Sequence, residues 1–151
     1  MRMRGFEIAK GWENCDINLP KRATRYSAAY DIEAAEDVEV PVFQPGVKPS
    51  MIPTGLKAYC QPDEFFSVIN RSSGALKGLV LANGLGIIDA DYYENAGNDG
   101  HFRVLVFNVS DEVLKVKKGD RIAQVIFQKY LTVDDDNADG ERTGGIGSTD
   151  K

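Results

Sequence analysis

Arg71-Ser72-Ser73-Gly74 follows an apolar run directly and sets a guanidinium, two hydroxyls and a flexible backbone at the start of a short stretch able to turn into a helix. Forked cations and the free N–H groups of a helix start both attract phosphate. The stretch is either phosphate-binding equipment or an ordinary charged residue followed by a serine cap. A second stretch, Ala82-Asn83-Gly84-Leu85-Gly86-Ile87-Ile88-Asp89-Ala90-Asp91-Tyr92-Tyr93, places two glycines in a hairpin-like turn, where a planar ring can lie against backbone amides and carbonyls. Asp89 comes after the apolar pair Ile87-Ile88, a setting in which a carboxylate at the edge of a core can hold and deprotonate a water; alternatively, Asp89 and Asp91 simply open a turn. Gln124 stands among apolar neighbours in Gly119–Phe127, so its amide requires a partner, either a backbone group or a ligand oxygen. Arg142 and the run Gly144-Gly145-Ile146-Gly147-Ser148-Thr149 form a glycine-rich end that is either free or a strap ordering over a ligand.

Elements that hold such residues in place have to come from one compact domain, since the chain has 151 residues. Hydrophobic residues at 42% and charged residues at 27% are enough for a packed core. Fifteen glycines and six prolines cut the chain into short pieces, and no segment keeps a helical apolar period for three turns. The spacing predicts an all-β sandwich or barrel, with strands near Phe6–Ala9, Val38–Val40, Gly55–Tyr59, Phe65–Asn70, Leu79–Leu81, Gly86–Ile88, Phe102–Val109, Val113–Val116 and Ile122–Tyr130. One short helix is expected over Ser72–Lys77, capped by Ser72 or Ser73 and ended by Gly78. The nearly continuous apolar runs Phe102–Phe107 and Ala123–Phe127 read as strands covered on both faces, by another sheet or another subunit. From Asp134 onward little can enter a core, which divides the chain into a β-domain, 1–133, and a flexible arm, 134–151.

A net charge of −5 and a pI near 4.9 argue against nucleic acid or an anionic membrane as partner. No apolar run approaches the roughly 18 residues of a spanning helix, and the start lacks a signal-like stretch, so a cytoplasmic protein is expected. The two cysteines, Cys15 and Cys60, do not make a disulfide framework, and a single histidine, His101, excludes three-histidine metal centres.

Taken in order, Ala28-Ala29-Tyr30-Asp31-Ile32, Arg71–Gly74 with Lys77-Gly78, Asn83–Tyr92, Gly119–Phe127, and Arg142 with Gly144–Thr149 resemble the five motifs of trimeric dUTP diphosphatases, and the likeness spans nearly the whole chain. It implies a β-clip or jelly-roll-like homotrimer with active sites shared between subunits. It also implies hydrolysis of dUTP to dUMP and diphosphate, which keeps uracil out of DNA and supplies dUMP. By carry-over, Asp89 orients the attacking water; Asn83, Gly86 and Ile88 with their backbone face uracil; and Tyr92 packs under the deoxyribose and leaves no space for a 2′-hydroxyl. Arg71, Ser72, Ser73, Gly74 and Gln124 match phosphate contacts. Arg142, Gly147, Ser148 and Thr149 match the arm that closes over a neighbouring subunit's nucleotide. Magnesium, Mg2+, would bridge the phosphates without a direct protein ligand, Asp31 lying in its outer sphere.

Two departures from the family pattern stand out. Ile146 occupies the place where many relatives carry an arm phenylalanine over the uracil, and Tyr93-Glu94-Asn95-Ala96-Gly97-Asn98-Asp99-Gly100 forms an extra loop. That loop is expected to bring an aromatic over the base, Phe102 first and Tyr93 or His101 after it, unless Phe102 is strand core. Two other readings stay open: a dCTP deaminase of the same fold, and a nucleotide-dependent regulatory protein that uses Asp134–Asp136 or the extra loop as a contact surface. Trp12 and the segment 11–25 have no assigned place.

Overall fold

A computed structural model describes residues 1–147 and 149. Its described strands are β1 (Gly5–Ile8), β2 (Lys21–Arg22), β3 (Tyr30–Glu33), β4 (Val38–Val40), β5 (Ser50–Tyr59), β6 (Glu64–Ile69), β7 (Leu79–Leu81), β8 (Gly86–Asp89), β9 (Phe102–Asn108), β10 (Leu114–Val116) and β11 (Arg121–Lys129). One helix, α1 (Ser72–Lys77), and one 3-10 turn, Ala90–Tyr92, complete them. The strands form a four-stranded sheet in the order β1-β5-β9-β7, a five-stranded sheet β2-β3-β11-β6-β8, and a ribbon β10-β4. All of these strand pairs are antiparallel.

The core lies between the two larger sheets. Strand β9 alternates strictly: Phe102, Val104, Val106 and Asn108 are buried while Arg103, Leu105 and Phe107 are half-buried on the other face. Phe66 of the facing sheet meets Phe102 edge to face at 5.3 Å between centroids, a favoured aromatic geometry. Within the chain, the run Phe102–Phe107 is thus covered fully on one face only. Buried Asn108 donates to the carbonyls of Val40 (3.0 Å) and Glu112 (2.7 Å), which ties the small ribbon to the body.

The helix spans the expected residues, but its N-cap is Arg71 and no side chain caps it. Gly78, at φ +92°, ends it in the left-handed conformation that glycine adopts without penalty. Two strands are absent from the sequence reading, and one is longer than expected. Strand β5 begins at Ser50 rather than Gly55 because Pro53, a strand breaker elsewhere, sits at a register shift between Pro53 and Leu56 where its missing N–H is tolerated. Strands β2 and β3 escape notice because they turn only Ile32 fully into the core. Leu79–Leu81 and Gly86–Asp89 do not make a hairpin: β7 pairs with β9 and β8 with β6, so the glycine turn crosses from one sheet to the other. Among the described residues no helix is long and apolar enough to cross a membrane.

Trp12 packs its ring 5.3 Å from that of His101, which places the segment after β1 against the beginning of β9. The His101 Nε2 accepts a hydrogen bond from the Gly55 amide at 2.9 Å. Burial, helped by nearby Arg103, pushes the His101 pKa down to about 4, so the ring is neutral near pH 7.

Candidate active site

The chemistry-bearing residues fall into two groups, and the register of the five-stranded sheet explains the division. In that sheet Asp31 pairs with Gln124, and Gln124 pairs on its other side with Ile69, so three of the sequence stretches meet in one row. Asn70 and Arg71 follow immediately. The Arg71 guanidinium donates from Nε to Asp31 Oδ1 at 2.9 Å and from Nη1 to Ser73 Oγ at 3.0 Å. Gln124 Nε2 donates to the Asn70 carbonyl at 3.1 Å, so the amide's partner is backbone. Asn70 in turn donates to Leu79 O and accepts from Leu81 N, at 2.9 and 2.8 Å, pinning β7 to the end of β6. Arg71, Ser73, Gly74, Lys77 and Arg121 border an open concavity at this corner, and Ser72 is exposed on the first turn of α1.

The second group runs along β8 beside β6, from Gly86, which pairs with Val68, to Asp89, which pairs with Phe65 at the opposite end of β6 from Arg71. Six residues of extended chain separate Phe65 from Arg71, a span of about 20 Å at roughly 3.3 Å per residue. Here a cavity of about 400 Å³ is lined by Asn83, Gly86, Ile88, Asp89, Tyr92 and Phe102. This volume falls in the range of small-molecule pockets. Asn83 and Asp89 are exposed to it, whereas Tyr92 is only 7% exposed. The Tyr92 hydroxyl donates to His101 O at 3.0 Å and accepts from Asn98 Nδ2 at 2.7 Å, so the ring is held at its far end.

The C-terminal residues Arg142, Gly145, Ile146, Gly147 and Thr149 also border this cavity. Arg142 donates from Nη2 to Asp89 Oδ2 and from Nε to Asp91 Oδ1, both at 2.7 Å. These bonds, the one to Asp91 first, raise the Arg142 pKa further above its ordinary value. Gly145 packs flat on the Tyr92 ring, where a Cβ would come within 2.4 Å of Cε1. Ser148 lies outside the described residues.

None of the three aromatics expected to cover the base does so. Phe102 is 1% exposed and held in the core by Phe66, so it forms the floor of the cavity and cannot swing over it. Tyr93 turns away, its hydroxyl bonded to Glu7 and its ring 5.7 Å from that of Tyr59; burial and the Glu7 bond push its pKa up to about 12. His101 faces Trp12. The residue over the cavity from the arm is Ile146, 61% exposed and at φ +46°. Sequence reading missed Arg103 and Leu105, which line the cavity from β9, and Asn98, which reaches Tyr92; only the richness of the extra loop in short amides hinted at the last.

Antiparallel sheets folded jelly-roll fashion, with a small-molecule cavity between them and a carboxylate-arginine pair at its mouth, define an all-β protein with a ligand-sized site. The dUTPase family profile matches residues 16–149. A deoxyuridine 5′-triphosphate nucleotidohydrolase of Lactococcus lactis is 49% identical over 99% of both chains, and one of Rickettsia conorii is 35% identical over 93% of each. Among solved structures, the dUTPase of Streptococcus mutans superposes with a TM-score of 0.76 at 37% identity, covering 86% of this chain and 98% of that one. A mutant dUTPase from phage phi11 of S. aureus, which shows the coordination of a structural Mg(II) ion, shares the fold at 18% identity and a TM-score of 0.68, covering 92% and 98%. The chain belongs to the dUTPase family.

Proposed function

We propose that this chain hydrolyses dUTP to dUMP and diphosphate in a homotrimer whose active sites combine two subunits. The observation that carries the shared site is the distance along β6: Asp89 and Arg71 lie at opposite ends of the strand, about 20 Å apart along the backbone. In-line attack requires the reacting atoms within about 3.5 Å, with charge neutralised on the phosphates next to the attacked phosphorus. One chain therefore supplies the nucleoside pocket and its neighbour the corner of Arg71, Ser72, Ser73, Gly74 and Gln124. Leu76, 89% exposed beside that corner, fits a surface that a second copy covers.

In the nucleoside half, Asn83 with the backbone of Gly86 and Ile88 faces the uracil, and Tyr92 lies under the deoxyribose. Asp89 holds a water and takes its proton as the oxygen bonds to the α-phosphorus; the bond from that phosphorus to the bridging oxygen breaks, and diphosphate leaves with the electron pair. For this step Arg142 has to leave Asp89. The triphosphate offers its fork a better bidentate partner than two separate carboxylates, so substrate entry moves Arg142 from Asp89 to phosphate, and the arm 134–151, which already meets the Tyr92 ring at Gly145, serves as the lid, with Gly147, Ser148 and Thr149 assigned to the phosphates.

No three metal-ligating side chains converge among the described residues, and Asp31, Asp89 and Asp91 are each paired with an arginine. This donor set suits a magnesium ion that arrives on the triphosphate, with Asp31 in its outer sphere. Such an ion supplies neutralisation of the charge gathering on the leaving diphosphate. The relatives are nucleotidohydrolases, which sets the deaminase reading aside. The test is diphosphate release from dUTP, UTP, dTTP and dCTP with magnesium, for wild type and Asp89→Asn. Release confined to dUTP and lost in the variant supports the reading; release from none of the four overturns it.

A further inference from the structure

The extra loop Tyr93–Gly100 has no role in the reaction as described, yet it is built with unusual care. Asn95 is 7% exposed and its side chain is fully used: Oδ1 accepts from Gly97 N (3.0 Å) and Asn98 N (3.1 Å), and Nδ2 donates to Tyr92 O and Asn98 Oδ1, both at 2.7 Å. Asn98 Oδ1 also accepts from Gly100 N at 3.0 Å. Glu94 and Asp99 take left-handed backbone, φ +54° and +62°, a cost retained only where the surroundings over-determine the conformation. Asp99 fastens the loop to the body through Lys57 Nζ (3.0 Å) and the Lys10 amide (2.8 Å). These bonds outweigh the burial that opposes ionisation and hold the Asp99 pKa below its ordinary value.

All of this rigidity is delivered to one point. Asn98 Nδ2 donates to the Tyr92 hydroxyl, which stands at the far end of the ring from its backbone attachment. The arm does not restrain the ring with bulk, because the residue lying on it is Gly145. The hydroxyl's other bond runs to His101 O, at the point where the loop rejoins β9.

We propose that Asn98 is a positioning residue for sugar selectivity: through the Tyr92 hydroxyl, the loop holds the ring where it excludes a 2′-hydroxyl. The inference rests on the dUTP reading of the cavity. Without Asn98 the Tyr92 hydroxyl keeps one hydrogen bond of two and its end of the ring yields toward the floor of the pocket, so a ribonucleotide fits better while the water held at Asp89 is unaffected.

The experiment measures kcat and KM for dUTP and UTP in wild type, Asn98→Ala, Tyr92→Phe and the double variant, with circular dichroism to verify the fold. Asn98→Ala is expected to lower the ratio of kcat/KM for dUTP to that for UTP by about threefold to tenfold, the effect of losing one hydrogen bond, mostly through a lower KM for UTP. Tyr92→Phe removes this bond and the one to His101 O with the loop intact, so it is expected to shift the ratio in the same direction and at least as far. The double variant should then be no less selective than Tyr92→Phe alone. A selectivity ratio unchanged in both single variants, single effects that add, or a wild type that accepts dUTP and UTP alike overturns the inference. A wild type that leaves dUTP intact overturns the functional reading instead.

Discussion

Alongside β6, Asn83, Asp89 and Tyr92 share a cavity whose walls come from both large sheets; past the end of β6 far from Asp89, Arg71 stands on an open corner with Ser73 and Gly74 in the six-residue helix that follows. The cavity is finished within the chain. Its tyrosine is anchored twice, its floor is a core phenylalanine, and its mouth carries its own cation. The corner is unfinished: its guanidinium is aimed by Asp31, but nothing apolar covers the exposed Leu76 next to it. Recognition of the base and sugar requires a shaped, desolvated pocket, and one chain can build that. Phosphate recognition requires charge at a distance set by the ligand, which a second copy can supply.

The largest effect expected falls on the finished half. Asp89→Asn should lower diphosphate release by about a thousandfold while dUTP still binds, since the amide keeps the shape and loses the base; calorimetric titration separates that result from misfolding. Arg71→Ala should cost about a hundredfold, the scale of removing one preorganised charge donor. These two impaired variants sharpen the contrast when co-refolded. If the halves come from different chains, mixed trimers regain activity; mixed trimers without activity would assign both halves to one chain. Gly145→Val places a side chain against the Tyr92 ring and should raise the KM for dUTP about tenfold with little change in kcat, as a lid that no longer seats. The smallest effect concerns stability alone. Unfolded chains protonate His101 near its ordinary pKa of about 6.5, whereas the folded protein resists until about 4, so acidification favours unfolding. Between pH 7.5 and 5.5 this removes about 1 kcal/mol. Urea midpoints at the two pH values, compared with His101→Gln, isolate that contribution.

The grouping of Arg71, Ser73 and Gly74 could be read from the sequence because these residues are nearly contiguous and polar, and because α1 ends at a glycine. The cavity could be read only in part. Asp89, Asn83 and Tyr92 fall in one stretch, but their turn crosses between sheets instead of closing a hairpin, and β-strand pairing is set by partners far away in sequence. Phe102 lies on the alternating inward face of β9, a pattern hidden because the opposite face also carries Leu105 and Phe107. The reach of Asn98 to Tyr92 spans only six residues, yet it depends on two left-handed residues that are neither glycine nor asparagine, and composition does not announce those. The pairing of Arg142 with Asp89 and Asp91 joins residues about fifty positions apart, beyond any local pattern.

The crossing of the Asn83–Leu85 turn from one sheet to the other has a thermodynamic consequence. Strands β7 and β9 on one side and β6 and β8 on the other all contribute to the cavity, so a nucleotide seated there acts as a rivet through both layers. Its binding energy adds to the resistance of the whole domain to unfolding rather than to one loop, by about 2.7 kcal/mol when the ligand stands at a hundred times its Kd. A shift in melting temperature is therefore a direct gauge of occupancy, and chains that have lost turnover but keep the rivet hole, such as Asp89→Asn, should still register it.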